Sequence, residues 1–173
     1  MITKIRITIL IIFLQKIVDK ILNYLKTMKL KKSSIIMLLF MVTLGYSQEW
    51  KNNFEEAKKE ATQQNKNILL VFSGSDWCGP CIKLDKNVWH SDAFKKESQK
   101  NWVLLKADFP KKKADILSPE LTESNEKLAE KYDKDGNFPL VILLDKNGKV
   151  IGETGYLNIS AEDYIQAIHS LEN

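Results

Sequence analysis

The chain has 173 residues, of which 44% are hydrophobic and 28% are charged; this balance excludes an intrinsically disordered protein and allows one ordinary domain with extensions. The net charge of +4 is unevenly distributed, because residues 1–47 carry eight Lys or Arg and one Asp, which leaves 18 basic and 21 acidic groups, a net charge of −3, on the other 126 residues. The basic excess lies in residues 1–47, so the charge pattern of the chain indicates no nucleic-acid partner.

Residues 28–47 have the pattern of a secretory signal peptide. Lysines dominate the start, residues 35–44 are apolar, and Gly45 and Ser47 are small residues suited to the −3 and −1 positions of a cleavage site. The apolar stretch is too short for a comfortable permanent membrane anchor. We therefore expect cleavage between Ser47 and Gln48 and a periplasmic or secreted protein.

Residues 1–27 have no recognisable role, and we interpret them as an over-extended start before the true initiator, Met28. The alternative is an amphipathic or membrane-inserted N-terminal segment, because the run from Ile9 to Leu14 is wholly apolar. The globular domain is expected to occupy residues 48–173.

The domain is predicted to begin with a helix and a buried strand. Four apolar residues recur at helical spacing within 49–67, which predicts a surface helix that packs on a core. They are Trp50, Phe54, Ala57 and Ala61. Residues 67–73 form a continuous apolar run, which is typical of a strand buried on both faces. The only two cysteines follow this strand in WCGPC at 77–81, and a helical pattern begins at Gly79.

The remaining elements alternate between helices and strands. In chain order they are a helix at 91–100 capped by Ser91, a buried strand at 102–109, a polar insertion at 110–125, a short helix at 125–133, a strand at 138–145, a turn at 146–148, a strand at 149–156 and a helix at 160–173 capped by Ser160. In the turn, Asn147 and Gly148 suit positions with φ > 0. The first two strands are joined by a crossover and so lie parallel, whereas the hairpin adds antiparallel strands. We predict an α/β fold with a central mixed sheet and helices on both faces.

The position of the cysteines favours redox chemistry. Cys78 ends a strand-to-helix turn, so its sulfur would face the first backbone N–H groups of the helix, and these donors would stabilise a thiolate and lower the pKa of Cys78. Cys81 lies three residues on, on the same helical face, within reach of a disulfide and more buried. Pro80 is tolerated in the first helical turn. This arrangement predicts an exposed nucleophile and a shielded resolving thiol.

Two other interpretations of the cysteine pair remain. A zinc site needs four ligands, but His90 and His169 lack zinc-motif spacing and there is no second cysteine pair. A structural disulfide between Cys78 and Cys81 would close a very short loop and stabilise little. Outside the cytosol, two nearby thiols are expected to be oxidised or used for exchange, which favours the redox pair.

The motif WCGPC at 77–81 matches the active-site motif of thioredoxin, and the resemblance extends over residues 49–171. Phe138 and Pro139 precede LVILLDKNGKVIGETG, which resembles the segment after the family's cis-proline, and Gly155 falls where the family keeps a glycine beside the active site. The context SGSDWCGPCIKLDKNVW, with KADFP later, resembles exported bacterial thioredoxin-like proteins more than the cytosolic protein.

The resemblance implies a thioredoxin-like fold and a role for each residue of the motif. Cys78 would attack a substrate disulfide and Cys81 would resolve the mixed disulfide, with this redox-active pair as the only redox group and no metal. Trp77 would flank the thiol, Pro139 would be cis and face the cysteines, and the backbone of Phe138 would pair with the bound polypeptide. The residues expected to contact substrate are Trp77, Gly79, Pro80, Phe138, Pro139 and Gly155.

Two residues depart from the family pattern. Phe72 stands six residues before Cys78, where the family keeps a buried carboxylate. Deprotonation of Cys81 would then rely on water or another group, which would slow the resolving step. Phe138 is bulkier than the usual residue before the proline, which would alter substrate choice.

Several other residues are interpreted without a catalytic role. Asp76 is expected to be exposed and not to act as a base, and Lys111, Lys112 and Lys113 are expected to belong to a solvated loop rather than to a docking surface. The two histidines are interpreted as surface or partly buried residues. The tryptophans interpreted as core residues are Trp50, Trp89 and Trp102.

The leading hypothesis is an exported, monomeric thiol–disulfide oxidoreductase that acts on protein disulfides. Gly-Pro between the cysteines resembles the reducing members of the family, which favours a reductase over an oxidase or isomerase. A reductase outside the cytosol needs an electron donor, commonly a membrane partner in this family. The alternative is a thioredoxin-fold peptide-binding or chaperone-like module in which the cysteines are incidental.

Overall fold

The computed structural model describes residues 14–24 and 48–172. The chain divides into two compact units, Met1–Tyr46 and Ser47–Asn173. In the first unit, residues 14–24 are helical and their side chains are exposed. Within the described residues, no helix combines the length and the apolar character needed to cross a membrane.

The signal peptide predicted at 28–47 lies outside the described residues, as does most of the extension predicted at 1–27. Export and the status of the extension therefore stay predictions.

Residues 48–172 fold as a mixed five-stranded sheet with helices on both faces, as predicted. The strands are β1 (Trp50–Lys51), β2 (Asn67–Ser73), β3 (Trp102–Asp108), β4 (Leu140–Leu144) and β5 (Val150–Thr154). The helices are α1 (Phe54–Gln64), α2 (Gly79–Leu84), α3 (Asp92–Asn101), α4 (Pro119–Tyr132) and α5 (Ala161–Ser170). A π-helical turn (Asp85–Trp89) continues α2, and a 3₁₀ turn (Lys113–Asp115) precedes α4.

The strands lie in the order β1-β3-β2-β4-β5. Strand β3 pairs in parallel with β1 and β2, whereas β4 pairs antiparallel with β2 and β5. Near its carboxyl end, β2 places Phe72 between Ala107 of β3 and Leu140 of β4. The turn that carries the cysteines therefore leaves the middle of the sheet, flanked by the loop after β3 and the segment before β4.

Alternate side chains of the central strands supply two separate cores, because successive strand residues point to opposite faces. One core, here named the aromatic cluster, packs against α2, α3 and α5; it consists of Leu69, Val71, Leu84, Val88, Trp89, Phe94, Trp102, Leu104, Val141, Leu143, Tyr164, Ile165 and Ile168. The other, the aliphatic cluster, packs against α1 and α4; it consists of Ala57, Ala61, Ile68, Leu70, Phe72, Val103, Leu105, Ala107, Leu128, Leu140, Ile142 and Leu144.

The helix predicted over 49–67 is too long at its amino end. Trp50 lies in β1, which pairs with β3, and α1 begins only at Phe54. Asn53 caps this helix by accepting a hydrogen bond from the Glu56 N–H at 3.0 Å. Trp50 is half-buried and packs against the aromatic cluster, so its predicted core role holds.

The insertion predicted over 110–125 is also too long, because α4 begins at Pro119. Ser118 caps the helix by accepting from the Leu121 N–H, and a proline at the first helical position suits this start. In the predicted hairpin turn only Gly148 has a positive φ, of 86°; Asn147 does not share it.

Candidate functional site

The two cysteines form a disulfide at the start of α2. The S–S distance is 2.02 Å and the Cα atoms are 5.2 Å apart. Cys78 is the N-cap residue of α2, and the Cys81 N–H donates to Cys78 Sγ at 3.2 Å. Cys78 is 5% exposed and Cys81 2% exposed, so Cys78 is the more accessible of the two. The prediction of an exposed Cys78 was wrong, because both cysteines are buried when they form the disulfide.

Trp77 is the most exposed ring beside the disulfide, with 40% of its surface accessible. Its Nε1–H donates to the Phe109 carbonyl at 2.7 Å, and the Lys111 ammonium lies 3.8 Å from the ring centroid. A Cβ at Gly74 would overlap the indole, so the glycine lets Trp77 fold back over the turn. The indole is thus fixed at one edge although much of its surface stays accessible.

The segment after β3 is tied to the turn that carries the cysteines. The Ser75 N–H and hydroxyl both donate to the Asp108 carboxylate, at 3.0 Å and 2.5 Å. The Lys111 and Lys112 N–H groups donate to the Asp76 carboxylate, the former at 2.9 Å and 3.0 Å. These contacts join two loops that are more than 30 residues apart in the sequence.

Asp76 is an anchor rather than a base. Partial desolvation opposes its ionisation, but the backbone N–H groups of Lys112 and Lys111 outweigh this effect and lower the pKa of Asp76. The side chain is half-buried instead of exposed as expected, because the loop after β3 covers it. The prediction that it is not a base is consistent with this lowered pKa, which makes the carboxylate a poorer proton acceptor.

A groove of about 440 Å³ runs beside the disulfide. Its walls include Pro80, Phe138, Pro139 and Gly155, and the Phe138–Pro139 peptide bond is cis, as predicted. A Cβ on Gly155 would lie 3.5 Å from the Pro139 carbonyl oxygen, which is ordinary contact. The sequence reasoning thus identified four residues that share one groove.

The groove is braced from the aromatic cluster. The buried Tyr164 hydroxyl donates to the Gly155 carbonyl at 2.7 Å, and burial raises the pKa of this phenol.

Trp77 contacts the Phe138 ring edge-to-face at 5.4 Å between centroids, and Phe109 does the same at 5.4 Å. Phe109 was missed by the sequence reasoning, although the aromatic residue directly after a buried strand was a usable signal.

Phe72 is fully buried in the aliphatic cluster, where the family pattern would place a carboxylate. Among the described residues, Asp133 is the only buried carboxylate, and its Oδ1 accepts the Asn137 N–H at 2.8 Å. Asp133 therefore shapes the segment that leads to Phe138 and Pro139.

The remaining polar residues match no metal site. The described part of the chain holds no group of three or more His, Cys, Asp or Glu residues placed to bind a metal ion. His90 Nδ1 lies 3.2 Å from the Asp85 carboxylate, and His169 lies between Glu97 at 3.1 Å and Glu172 at 3.2 Å. Both histidines thus lie within hydrogen-bonding distance of carboxylates of the same domain.

Comparisons with known proteins agree with this fold. The family model described as Thioredoxin-like matches residues 49–146. Disulfide bond reductase DsbH of Chlamydia pneumoniae is 30% identical over 122 residues, which is 70% of this chain and 71% of that protein. Thioredoxin-related protein DsbJ of the same organism is 30% identical over 106 residues, but the match spans 61% of this chain and only 30% of DsbJ.

Two solved structures show the same architecture. The structure of a DsbH oxidoreductase superposes with a TM-score of 0.67 at 28% identity, covering 73% of this chain and 85% of that one. A thioredoxin from Thermus thermophilus superposes with a TM-score of 0.54 at 16% identity, covering 72% and 87%, and supports the fold alone. The chain belongs to the thioredoxin-like family and is a thiol–disulfide oxidoreductase that works through a cysteine disulfide.

Proposed function

We propose that this protein is an exported reductase of protein disulfides, in which Cys78 attacks the substrate and Cys81 resolves the intermediate. The observation that carries the proposal is the position of Cys78 at the N-cap of α2, where its sulfur accepts the Cys81 N–H at 3.2 Å. The positive end of the helix and this donor stabilise negative charge on the sulfur. Cys78 is also the more accessible cysteine of the pair.

The reaction begins from the reduced pair. The Cys78 thiolate attacks one sulfur of the substrate disulfide, forms a mixed disulfide and releases the other substrate sulfur as a thiolate. Cys81, after losing its proton to solvent, attacks the Cys78 sulfur; this restores the Cys78–Cys81 disulfide and releases the second substrate thiolate. The protein pair loses two electrons and the substrate gains two. A dithiol donor outside the cytosol, membrane-bound in our proposal, returns them.

The groove beside Pro139 supplies the binding surface in this proposal. Phe138, immediately before the cis-proline, offers its backbone to an extended substrate chain in the manner of an added strand. A Cβ added at Gly79 would meet no neighbouring side chain within 4 Å, so this side of the disulfide is open. Trp77 and Pro80 complete the rim of the proposed contact surface.

Two features support reduction over oxidation. The dipeptide between the cysteines is Gly-Pro, which resembles the reducing members of the family. The relative from Chlamydia pneumoniae carries the name disulfide bond reductase. Export and a periplasmic or secreted location are supported by the signal-peptide pattern of residues 28–47.

Trapping of the mixed disulfide tests the roles of the cysteines. In the full chain, Cys81→Ser should accumulate a covalent adduct with a disulfide-bonded substrate such as insulin, whereas Cys78→Ser should form none. Wild-type protein should accelerate the reduction of insulin over dithiothreitol alone, and the double serine variant should not. Adducts through Cys81 alone would contradict the assignment of Cys78 as the nucleophile, and equal function in the double variant would replace the enzyme with a binding module.

The amino terminus of the protein recovered from cells tests export. We expect a mature chain that begins at Gln48 in the extracytoplasmic fraction. A mature chain that retains residues before Met28 would contradict the over-extended start.

A further inference from the structure

A second pocket adjoins the groove beside Pro139, because Phe138 lines both. The pocket has a volume of about 490 Å³. Most of its wall is apolar and comes from Trp77, Phe109, Pro110, Ile116, Leu117 and Phe138. Ile116 is 66% exposed, the highest value among the large hydrophobic side chains of the described residues. An apolar surface of this kind next to a reactive cysteine indicates a place for a ligand.

The loop between β3 and α4 builds one wall of this pocket, and the active-site turn holds that loop in place. Asp76 accepts the N–H groups of Lys111 and Lys112, and Trp77 donates to the Phe109 carbonyl. Phe109, Lys111 and Lys112, at the start of this loop, are therefore held against the turn that carries Cys78. Because Trp77, which directly precedes Cys78, lines the pocket, the pocket adjoins the turn that carries the cysteines.

One residue in the wall of the pocket has an unused acceptor. Asn125, on α4, is 1% exposed and its Nδ2 donates to the Asp108 carbonyl at 2.9 Å. Its Oδ1 is buried and has no hydrogen-bond partner within the described part of the chain. A buried acceptor without a partner costs free energy, so an occupant that brings a donor would relieve this cost.

We propose that this pocket is a substrate subsite that takes an aromatic side chain with a polar hydrogen, tyrosine or tryptophan, from the polypeptide whose disulfide Cys78 attacks. The inference rests on the proposed function. Continuity through Phe138 places the occupant on the same chain that lies along the Pro139 groove, within a few residues of the attacked cysteine. Such side chains combine a large apolar body with one donor, which matches the apolar wall and Asn125.

The subsite should act on the rate of exchange. Contacts that hold the substrate while its disulfide reacts raise kcat/KM, because they stabilise the transition state relative to the free partners. Burial of one aromatic side chain is worth roughly a tenfold gain or more in this rate constant.

The test uses the reduced full chain and a series of octapeptides, each with one cysteine joined by a disulfide to thionitrobenzoate. Tyrosine is moved through the three positions on each side of the cysteine, against alanine at the same position. Release of thionitrobenzoate gives the second-order rate constants. We expect one position at which tyrosine reacts roughly tenfold faster than alanine.

Two variants at exposed positions test the pocket itself. Thr122→Trp fills it from α4, and Ile116→Ser removes part of its wall. Each should reduce the ratio of the second-order rate constants for the tyrosine and alanine peptides to about twofold or less. Ile151→Ser is the matched control, because Ile151 is an exposed isoleucine of β5 that lines neither pocket, and it should keep the wild-type ratio.

The outcomes separate the two proposals. If wild-type protein releases thionitrobenzoate but no position favours tyrosine, or if the preference survives Thr122→Trp and Ile116→Ser, the subsite is wrong and the reductase stands. If the reduced protein does not react with dithiobis(nitrobenzoate) or any peptide, the proposed function fails and the subsite fails with it.

Discussion

The two faces of the sheet use aromatic side chains in opposite ways. In the aromatic cluster, the rings of Trp89 and Phe94 lie 4.5 Å apart and are 3% and 0% exposed. On the other face, at the end near the disulfide, Phe138 lies 5.4 Å from both Trp77 and Phe109, yet Trp77 is 40% exposed. The ring contacts are similar, but one set is closed by helices and the other is left open.

The difference separates stability from binding. The aromatic cluster is covered by α2, α3 and α5, so its rings contribute to folding through full removal from water. The rings of Trp77, Phe109 and Phe138 are only partly buried. Two hydrogen bonds fix this region: Trp77 Nε1–H donates to the Phe109 carbonyl, and the Lys111 N–H donates to the Asp76 carboxylate. Changes in the first region should alter the free energy of unfolding, and changes in the second should alter exchange rates.

The largest effect is expected in the closed cluster. Phe94 is fully buried and its ring contacts those of Trp50, Trp89 and Trp102. Phe94→Ala should lower the free energy of unfolding by about 3–5 kcal/mol, through lost burial and a residual cavity. Urea denaturation measures this change. The exchange rate at temperatures where the variant is folded should stay near that of wild type, and a large loss of rate with little loss of stability would refute the separation.

The converse change is Trp77→Ala. Because the indole is partly exposed, this variant should lose less stability than Phe94→Ala, yet reduce insulin several-fold more slowly, since a ring beside the nucleophile is removed. Stopped-flow exchange and urea denaturation on the same samples give both numbers. Exposed Ile82, on α2, provides the control variant Ile82→Ala for loss of an apolar surface group. Equal losses of rate in the two variants would mean that Trp77 has no special position.

A smaller effect is expected at the polar anchor. Asp76→Asn removes the charge that accepts the Lys111 and Lys112 N–H groups. Hydrogen exchange of these two amides should become faster, while amides of β2 stay protected. In wild type the same protection should be present above the ordinary pKa of Asp76 and lost as the pH falls through its lowered pKa. Unchanged exchange in the variant would show that the charge of Asp76 is not needed to hold the loop.

The smallest effect is expected at His169 on α5, whose ring lies 4.9 Å from that of Trp102 in the aromatic cluster. Partial burial opposes its charge, but the hydrogen bonds that its ring donates to the Glu172 and Glu97 carboxylates outweigh this and raise the pKa of His169. Its contribution to stability is therefore complete below the ordinary histidine pKa and lost as the pH rises through the raised value. Partial desolvation also opposes the ionisation of Glu172, but the hydrogen bond from His169 lowers the pKa of that carboxyl overall. The contribution of Glu172 to stability is therefore lost as the pH falls through this lowered pKa.

The measurement is the difference in unfolding free energy between wild type and His169→Gln as a function of pH. We expect a difference of no more than about 1 kcal/mol near pH 6, since the pair is partly exposed, falling towards pH 9. A difference that grows towards pH 9 would have the wrong sign. The rate of thiol–disulfide exchange should be the same in wild type and His169→Gln at each pH.

The sequence predicted the parts of the fold that local patterns encode. The continuous apolar run at 67–73 is strand β2, and the caps Ser91 and Ser160 stand where they were expected. The start of α4 was missed although Ser118 followed by Pro119 is a recognisable cap, because no hydrophobic period supported it. Strand β1 has only two residues, and its existence depends on pairing with β3, some 50 residues later.

The part of the site that carries the family resemblance could be predicted from the sequence. Pro80, Pro139 and Gly155 line one groove, and the Phe138–Pro139 bond is cis as the resemblance implied. The second pocket was not predictable, because it depends on Asp76 holding a loop that comes 35 residues later. An aspartate next to a tryptophan carries no sequence signal for that contact.

The reduction potential of the Cys78–Cys81 pair tests the central claim most directly. The full chain is equilibrated in thiol–disulfide buffers of defined potential, and the reduced fraction is read by alkylation of the two thiols. We expect a value near that of thioredoxin, about −270 mV, which makes the pair a reductant that a donor must recharge. A value near −120 mV would contradict it, because such a pair would install disulfides in its substrates.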